Sequence, residues 1–230
     1  MAQPSPAAPS ARPDKAREKT LGCVLSGGLS RRMLGADKGA QLLEGRPLVA
    51  HVATRLSAQV DALVISSNAP TTAHVELNLP ILPDIMPGHL GPLSGILTAL
   101  DYATQNGFSQ VLVGATDTPF FPTHLLEKLA TQADQQTAKV CVAASGARLH
   151  PTFSLWATCL RTPLSSYLQA GERRLMGFIN AQAHAICHFP LMEAEGRQLD
   201  PFFNINSPED LAGASEDAAL WAALDDEANA

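Results

Sequence analysis

Aromatic side chains are scarce in this 230-residue chain: 8 Phe, 2 Tyr and 2 Trp amount to 5% of it. Few platforms are left on which nucleic-acid bases could stack. Positive charge is also in short supply. Sixteen Lys and Arg stand against 22 Asp and Glu, for a net charge of −6, which argues against a general nucleic-acid binder. The four cysteines, Cys23, Cys141, Cys159 and Cys187, include no CxxC pair, so neither a zinc site nor a redox motif is indicated. Three of them sit in apolar runs and read as buried thiols. No apolar run is long enough to span a membrane, and residues 1–20 lack the apolar stretch of a secretory signal. No internal repeat is visible. These absences point to a soluble protein of a reducing compartment, expected in the cytoplasm, with no nucleic-acid or membrane partner.

What is present suits one α/β domain. The hydrophobic fraction, 46%, is ordinary for a globular core. Residues 1–20, rich in Pro, Ala, Ser and charge, read as a disordered tail. Beyond them, short apolar runs alternate with amphipathic stretches. Residues 21–26, 62–65, 111–115 and 140–144 are predicted as buried strands, with a brief strand at 80–83. Residues 47–59, 93–106 and about 123–132 are predicted as helices. Such alternation implies a parallel sheet covered by helices, with ligands outside the carboxyl ends of the strands where the strand order switches. After residue 145 the rhythm loosens. An apolar segment at 153–156 is followed by a helix through Leu160, Leu164 and Leu168 with Pro163 inside it. A short helix at 175–181 and a strand at 185–189 come next. Ser207 and Pro208 then open a capped helix, and the Ala-rich, acidic residues 213–230 are expected to extend that helix and fray into a tail.

Three polar motifs each follow an apolar strand, which places them on one rim of the sheet. The first is Ser26-Gly27-Gly28, where adjacent glycines allow a tight turn and close approach of a ligand, followed by Arg31, Arg32 and Lys38. Exposed backbone N–H groups with fixed positive charge suit a triphosphate. The pattern is not the common phosphate loop, because Lys38 comes late, after a third glycine. The second is Ser66-Ser67-Asn68. The third is Asp117, which by residue type suits either a Mg2+ ligand beside phosphates or a turn residue shaping the Pro119 turn.

The string Leu25-Ser26-Gly27-Gly28-Leu29-Ser30-Arg31-Arg32-Met33-Leu34-Gly35-Ala36-Asp37-Lys38 closely resembles the signature of the molybdenum cofactor guanylyltransferases, with Ser26 where the family usually has Ala. The resemblance covers roughly residues 21–212. It implies a Rossmann-like nucleotidyltransferase fold, α/β, with a mostly parallel central sheet and helices on both faces. Residues about 21–144 would bind GTP and about 145–212 molybdopterin. The implied reaction moves GMP from GTP to Mo-molybdopterin, making molybdopterin guanine dinucleotide and pyrophosphate. GTP would be bound by Leu25, Ser26, Gly27, Gly28, Lys38, Ser66, Asn68, Asp84 and Asp117. Mg2+ would be held by Asp117, and Lys38, Asp117 and Arg32 would carry catalysis. Ser66 stands where the family commonly begins Asn-Ala-Asn, and Asn68 keeps the last Asn. The pieces His150-Pro151-Thr152, Gly171-Glu172-Arg173-Arg174 and Asn204-Ile205-Asn206 resemble the family's pterin half, so Arg173, Arg174, Asn204 and Asn206 would hold molybdopterin. The implied partners are the two substrates, with transient contact to proteins that deliver and accept the cofactor, and the chain is expected to be a monomer. Three alternatives stay open: a molybdopterin cytidylyltransferase, a sugar-phosphate nucleotidyltransferase, or a non-catalytic GTP-binding adaptor.

Overall fold

The computed structural model describes residues 18–27, 38–88 and 91–221. Gly28, Arg31, Arg32, the side chain of Lys38 and all but the last residues of the expected N-terminal tail lie outside them. In chain order the elements are β1 (Thr20–Leu25), β2 (Leu42–Leu43), β3 (Arg46–Pro47), α1 (Leu48–Ser57), β4 (Ala62–Ser66), α2 (Thr72–Val75), β5 (Ile81–Leu82), α3 (Pro92–Gln105) and β6 (Gln110–Ala115). The second half adds α4 (Leu125–Gln136), β7 (Val140–Ser145), β8 (Arg148–Ala157), α5 (Arg161–Gln169), α6 (Leu175–Asn180), β9 (His184–Phe189), β10 (Met192–Ala194), β11 (Arg197–Leu199) and α7 (Pro208–Glu216).

Seven strands form one sheet in the order β5-β4-β1-β6-β8-β7-β9. β1 pairs in parallel with β4 on one side and β6 on the other. The chain moves outward from β1 to β4 and β5, then crosses back to β6, so the strand order switches at β1. Only β8 runs against its neighbours β6 and β7.

Alternation along the strands feeds two cores, as a period of two requires. Leu21, Cys23, Val111 and Val113 face α3, α5 and α6, packing with Ile96, Leu100, Leu164 and Phe178. Val24, Leu112 and Cys141 face α1 and α4, packing with Val52, Leu56, Leu125 and Leu129. Helices therefore cover both faces. Burial pushes the thiols of Cys23 and Cys141 up to about 12, which makes them inert core groups. Among the described residues, no helix is long and apolar enough to cross a membrane.

Several boundaries differ from expectation, each for a local reason. The expected N-terminal tail ends before Thr20, which is buried at the start of β1, its N–H donating to the Asp61 carboxylate at 2.8 Å. Pro163 does not break its helix, because α5 begins at Arg161 and a first-turn residue has no intrahelical N–H bond to lose. β8 reaches back to Arg148, well before its apolar end, because β7 lies beside it throughout. The short α2 and the β10–β11 hairpin have no counterpart among the predicted elements. Residues from Gly213 extend α7, which runs to Glu216, and Trp221 is buried with its ring stacked 4.6 Å from Phe120; residues 222–230 of the expected tail lie outside the described residues. Composition alone hid this, because a single aromatic anchors an otherwise Ala-rich, acidic stretch.

Candidate functional site

The carboxyl ends of β1, β4, β5 and β6 lie side by side and are laced together beyond the strands. Ser26 N–H donates to Ser66 O at 2.9 Å, Ser67 N–H to Leu82 O at 3.0 Å, and Thr116 N–H to Leu25 O at 3.2 Å. Leu25, Ser26, Gly27, Ser66, Asn68, Asp84 and Asp117 are thereby gathered on one rim, at the switch in strand order, which is where an open α/β sheet binds ligands. Among the described residues, nothing within 4 Å would meet a Cβ at Gly27, which leaves its backbone room for an incoming group on that side. The turn Lys38–Ala40 packs against α1 and α2, which brings the main chain of Lys38 to the same end of the molecule.

Each rim residue has a specific setting. Ser66 is buried, and its hydroxyl lies over α3, 2.6 Å from where a Cβ on Gly95 would stand. Only a glycine leaves room there, and the part of Ser66 facing the loop is its carbonyl. Asn68 and Asp84 hold each other. Asn68 Nδ2 donates to Asp84 Oδ2, and Asp84 N–H donates to Asn68 Oδ1, both at 2.8 Å. Thr98 fixes the next residue, its hydroxyl accepting from Ile85 N–H at 3.1 Å and donating to Ser94 O. The Asp84 carboxylate is thus oriented by a partner sixteen residues away.

Asp117 follows β6 and is half-buried. Its carbonyl accepts from Ile205 N–H at 2.7 Å, and the hydroxyl of Thr118 donates to Asn204 Oδ1 at 2.8 Å. Two bonds therefore fasten a strap from the second half, Asn204-Ile205-Asn206, across the end of the strand that bears the carboxylate. The strap is closed by a capping box at α7. Asp210 Oδ2 accepts from the N–H groups of Asn206 and Ser207, and Ser207 Oγ accepts from Asp210 N–H. Among the described residues, no group of three or more His, Cys, Asp or Glu is arranged to hold a metal. One carboxylate among hydroxyl and carboxamide oxygens is nevertheless the donor set of a Mg2+ site completed by substrate phosphates, so Asp117 fits that ion.

The remaining expectations separate. Asn204 and Asn206 reach the rim through the strap. Arg173 folds back on its own helix end, donating to Leu168 O at 2.7 Å and to Glu172 O at 2.6 Å. There it satisfies carbonyls at the C-terminus of α5, as a cation does at that end of a helix dipole. Arg174 caps α6 through its backbone, and its carbonyl accepts from the Tyr167 hydroxyl at 3.1 Å.

Two buried networks had no place in the sequence reading. Ser26 Oγ lies 2.6 Å from His74 Nε2. On the second half, the Ser145 hydroxyl donates to Asp200 Oδ1 at 2.7 Å and lies 2.7 Å from His150 Nε2. The His150 ring stacks on Phe202 at 4.6 Å. Because Ser145 gives its proton to Asp200, this trio is a structural clasp on residues 200–202 and not a nucleophile with its base. Burial holds His150 below its ordinary pKa of 6.5, against the pull of Asp200 and with the push of Arg148. The unfolded chain therefore takes up the proton first as pH falls through 6.5. The melting temperature is expected to fall as the pH drops through 6.5 toward the lower folded-state pKa, and to level off below it. His51 is lowered as well, chiefly by burial. His150→Gln should leave a shallower slope in the same thermal scans; an unchanged slope would take His150 out of the acid response.

Comparison with known proteins gives one consistent answer. Residues 22–185 match the MobA-like NTP transferase domain family. The chain is 39% identical over 201 residues to a molybdenum cofactor guanylyltransferase of Mesorhizobium japonicum, covering 86% of this chain and 96% of that protein. It is 40% identical to one of Rhizobium meliloti, covering 83% and 88%. Among solved structures, molybdopterin-guanine dinucleotide biosynthesis protein A of Archaeoglobus fulgidus superposes with a TM-score of 0.67 at 22% identity, over 87% of this chain and 99% of that one. The 4-diphosphocytidyl-2C-methyl-D-erythritol synthase of Anaerococcus prevotii reaches 0.66 at 12% identity, over 88% and 96%. These last two are likenesses of fold.

Proposed function

The chain belongs to the MobA-like NTP transferases, among the molybdenum cofactor guanylyltransferases, and on that footing we propose that it transfers GMP from GTP to Mo-molybdopterin. A terminal phosphate oxygen of molybdopterin would attack the α-phosphorus of GTP in line. The new O–P bond forms as the bond from that phosphorus to the β-phosphate oxygen breaks, and pyrophosphate leaves. The attacking phosphate is already ionised near neutrality, so no general base is needed. Catalysis then rests on placing the two phosphates and neutralising their charge.

The chain's residues divide this work. Ser26 and the backbone at Gly27 receive the triphosphate, joined by Gly28, Arg32 and Lys38. Asp117 would hold Mg2+, which when bound supplies positive charge to phosphate oxygens. Asp84 reads the guanine N1–H and 2-amino group through carboxylate oxygens, held at the right angle by Asn68. Asn204 and Asn206, with Arg173 and Arg174, take molybdopterin. The strap supports this division best, because it fastens the acceptor side directly to the Asp117–Thr118 segment. The enzyme would act as a cytoplasmic monomer, meeting its cofactor-delivering and cofactor-accepting partners transiently.

Incubation with Mo-molybdopterin and each of the four nucleoside triphosphates tests the assignment. GTP should give the dinucleotide product and pyrophosphate far faster than CTP, ATP or UTP. Asp84→Ala should shrink the advantage of GTP over ATP by roughly tenfold or more, the effect of leaving a base donor pair without its acceptor. A preference for CTP would reassign the enzyme to cytidylyl transfer.

A further inference from the structure

His74 is fully buried, yet both of its ring nitrogens are engaged. Thr71 N–H donates to Nδ1 at 3.0 Å, and the Thr71 hydroxyl lies 2.8 Å from the same nitrogen. A ring nitrogen that accepts a backbone N–H carries no hydrogen of its own, and protonating it would set two hydrogens against each other. The ring hydrogen is therefore on Nε2, and Nε2–H donates to Ser26 Oγ at 2.6 Å. Ser26 Oγ is an acceptor in that bond, so its own proton is directed to some other acceptor. The Ser26 backbone N–H is already given to Ser66 O. Ser26 directly precedes Gly27 at the carboxyl end of β1, on the rim that gathers the other proposed nucleotide contacts.

Capping α2 would require only Nδ1. The second bond, from Nε2 to a residue 48 positions earlier, does nothing for that helix. It fixes instead the residue at which the strand becomes the glycine loop. We propose that His74 is a positioning residue for the nucleotide: it holds Ser26 Oγ so that the serine O–H donates to an oxygen of bound GTP. The inference rests on the guanylyltransferase reading and deepens it. A buried donor–acceptor chain of this kind orients the hydroxyl before the ligand arrives, which lowers the entropy lost on binding.

The test is a double-mutant cycle on the full chain, with GTP binding measured by calorimetry alongside steady-state kinetics and thermal melting. Ser26→Ala and His74→Phe should each raise the Kd and KM for GTP about tenfold, the effect of one lost hydrogen bond to a charged group. The KM for Mo-molybdopterin should be unchanged. The double variant should be no worse than either single one, because both remove the same bond. His74→Gln should restore GTP affinity to within about twofold of wild type, since an N3 glutamine can accept from the N-cap N–H while its amide donates to Ser26. Unaltered GTP affinity in Ser26→Ala, additive losses in the double variant, or losses shared by both substrates in step with melting temperature would each overturn the proposal. Wild-type protein that binds no GTP would instead overturn the guanylyltransferase reading, and this inference with it.

Discussion

Asp117→Ala is expected to lower GMP transfer by about three orders of magnitude, the scale of losing one preorganised charge-stabilising group, and to leave a residual rate that no longer responds to added Mg2+. The substitution removes the carboxylate alone. The bond that seats this segment runs from Ile205 N–H to the Asp117 carbonyl, and the neighbouring bond runs from Thr118 to Asn204. Both survive in the alanine variant, so the strap should stay fastened and the melting temperature should move little. Rates measured across a Mg2+ titration, beside thermal melts, separate loss of the site from loss of the fold. A variant that keeps wild-type turnover at every Mg2+ concentration would remove Asp117 from the metal role.

Lys38→Ala should reduce kcat by about two to three orders of magnitude while the KM for GTP changes little, because charge accumulates on the departing pyrophosphate only as the transition state forms. The role comes from the motif that Lys38 closes, together with the packing of the Lys38–Ala40 turn on α1 and α2. Lys38→Arg should not restore the rate. A planar fork does not replace a compact point charge at a phosphate cradle. Single-turnover transfer at saturating GTP reads this directly. If the loss lay wholly in GTP affinity, Lys38 would be a binding group.

The sequence announced the part of the fold made by continuous apolar strands and helices with a four-residue stride. β1, β4, β6 and β7 are buried on both faces, so they read as unbroken apolar runs, and Leu56, Leu100 and Leu164 mark helix faces that sit in the core. From that alternation alone, Ser26, Ser66 and Asp117 could be placed on one rim. Asp84 entered through the family motif, and β5 brings it to the same rim. The features that stayed hidden depend on contacts made at a distance. β8 begins with Arg148, His150 and Pro151, which resemble a loop until β7 is seen beside them. The hold of Asn68 on Asp84, and of Asn204 on Thr118 across 86 residues, leaves no local trace. The orientation of Arg173 toward its own helix end was likewise invisible, because an arginine pair after a glycine suits a ligand and a helix terminus equally well. His74 did leave a trace: Thr71 and His74 stand at the N-cap and N3 spacing of a capping box, which could have marked a helical turn where no element was predicted.

The strap has a consequence for how the protein comes into being. A ribosome has finished the whole nucleotide-binding motif long before it reaches Ile205, yet the segment carrying Asp117 lacks its fastening until that residue has emerged. A chain that stops short of residue 204 would therefore possess the residues proposed for GTP without the fastening of the proposed transfer centre. That centre is fastened only once residues 204 and 205 have folded back onto the end of β6.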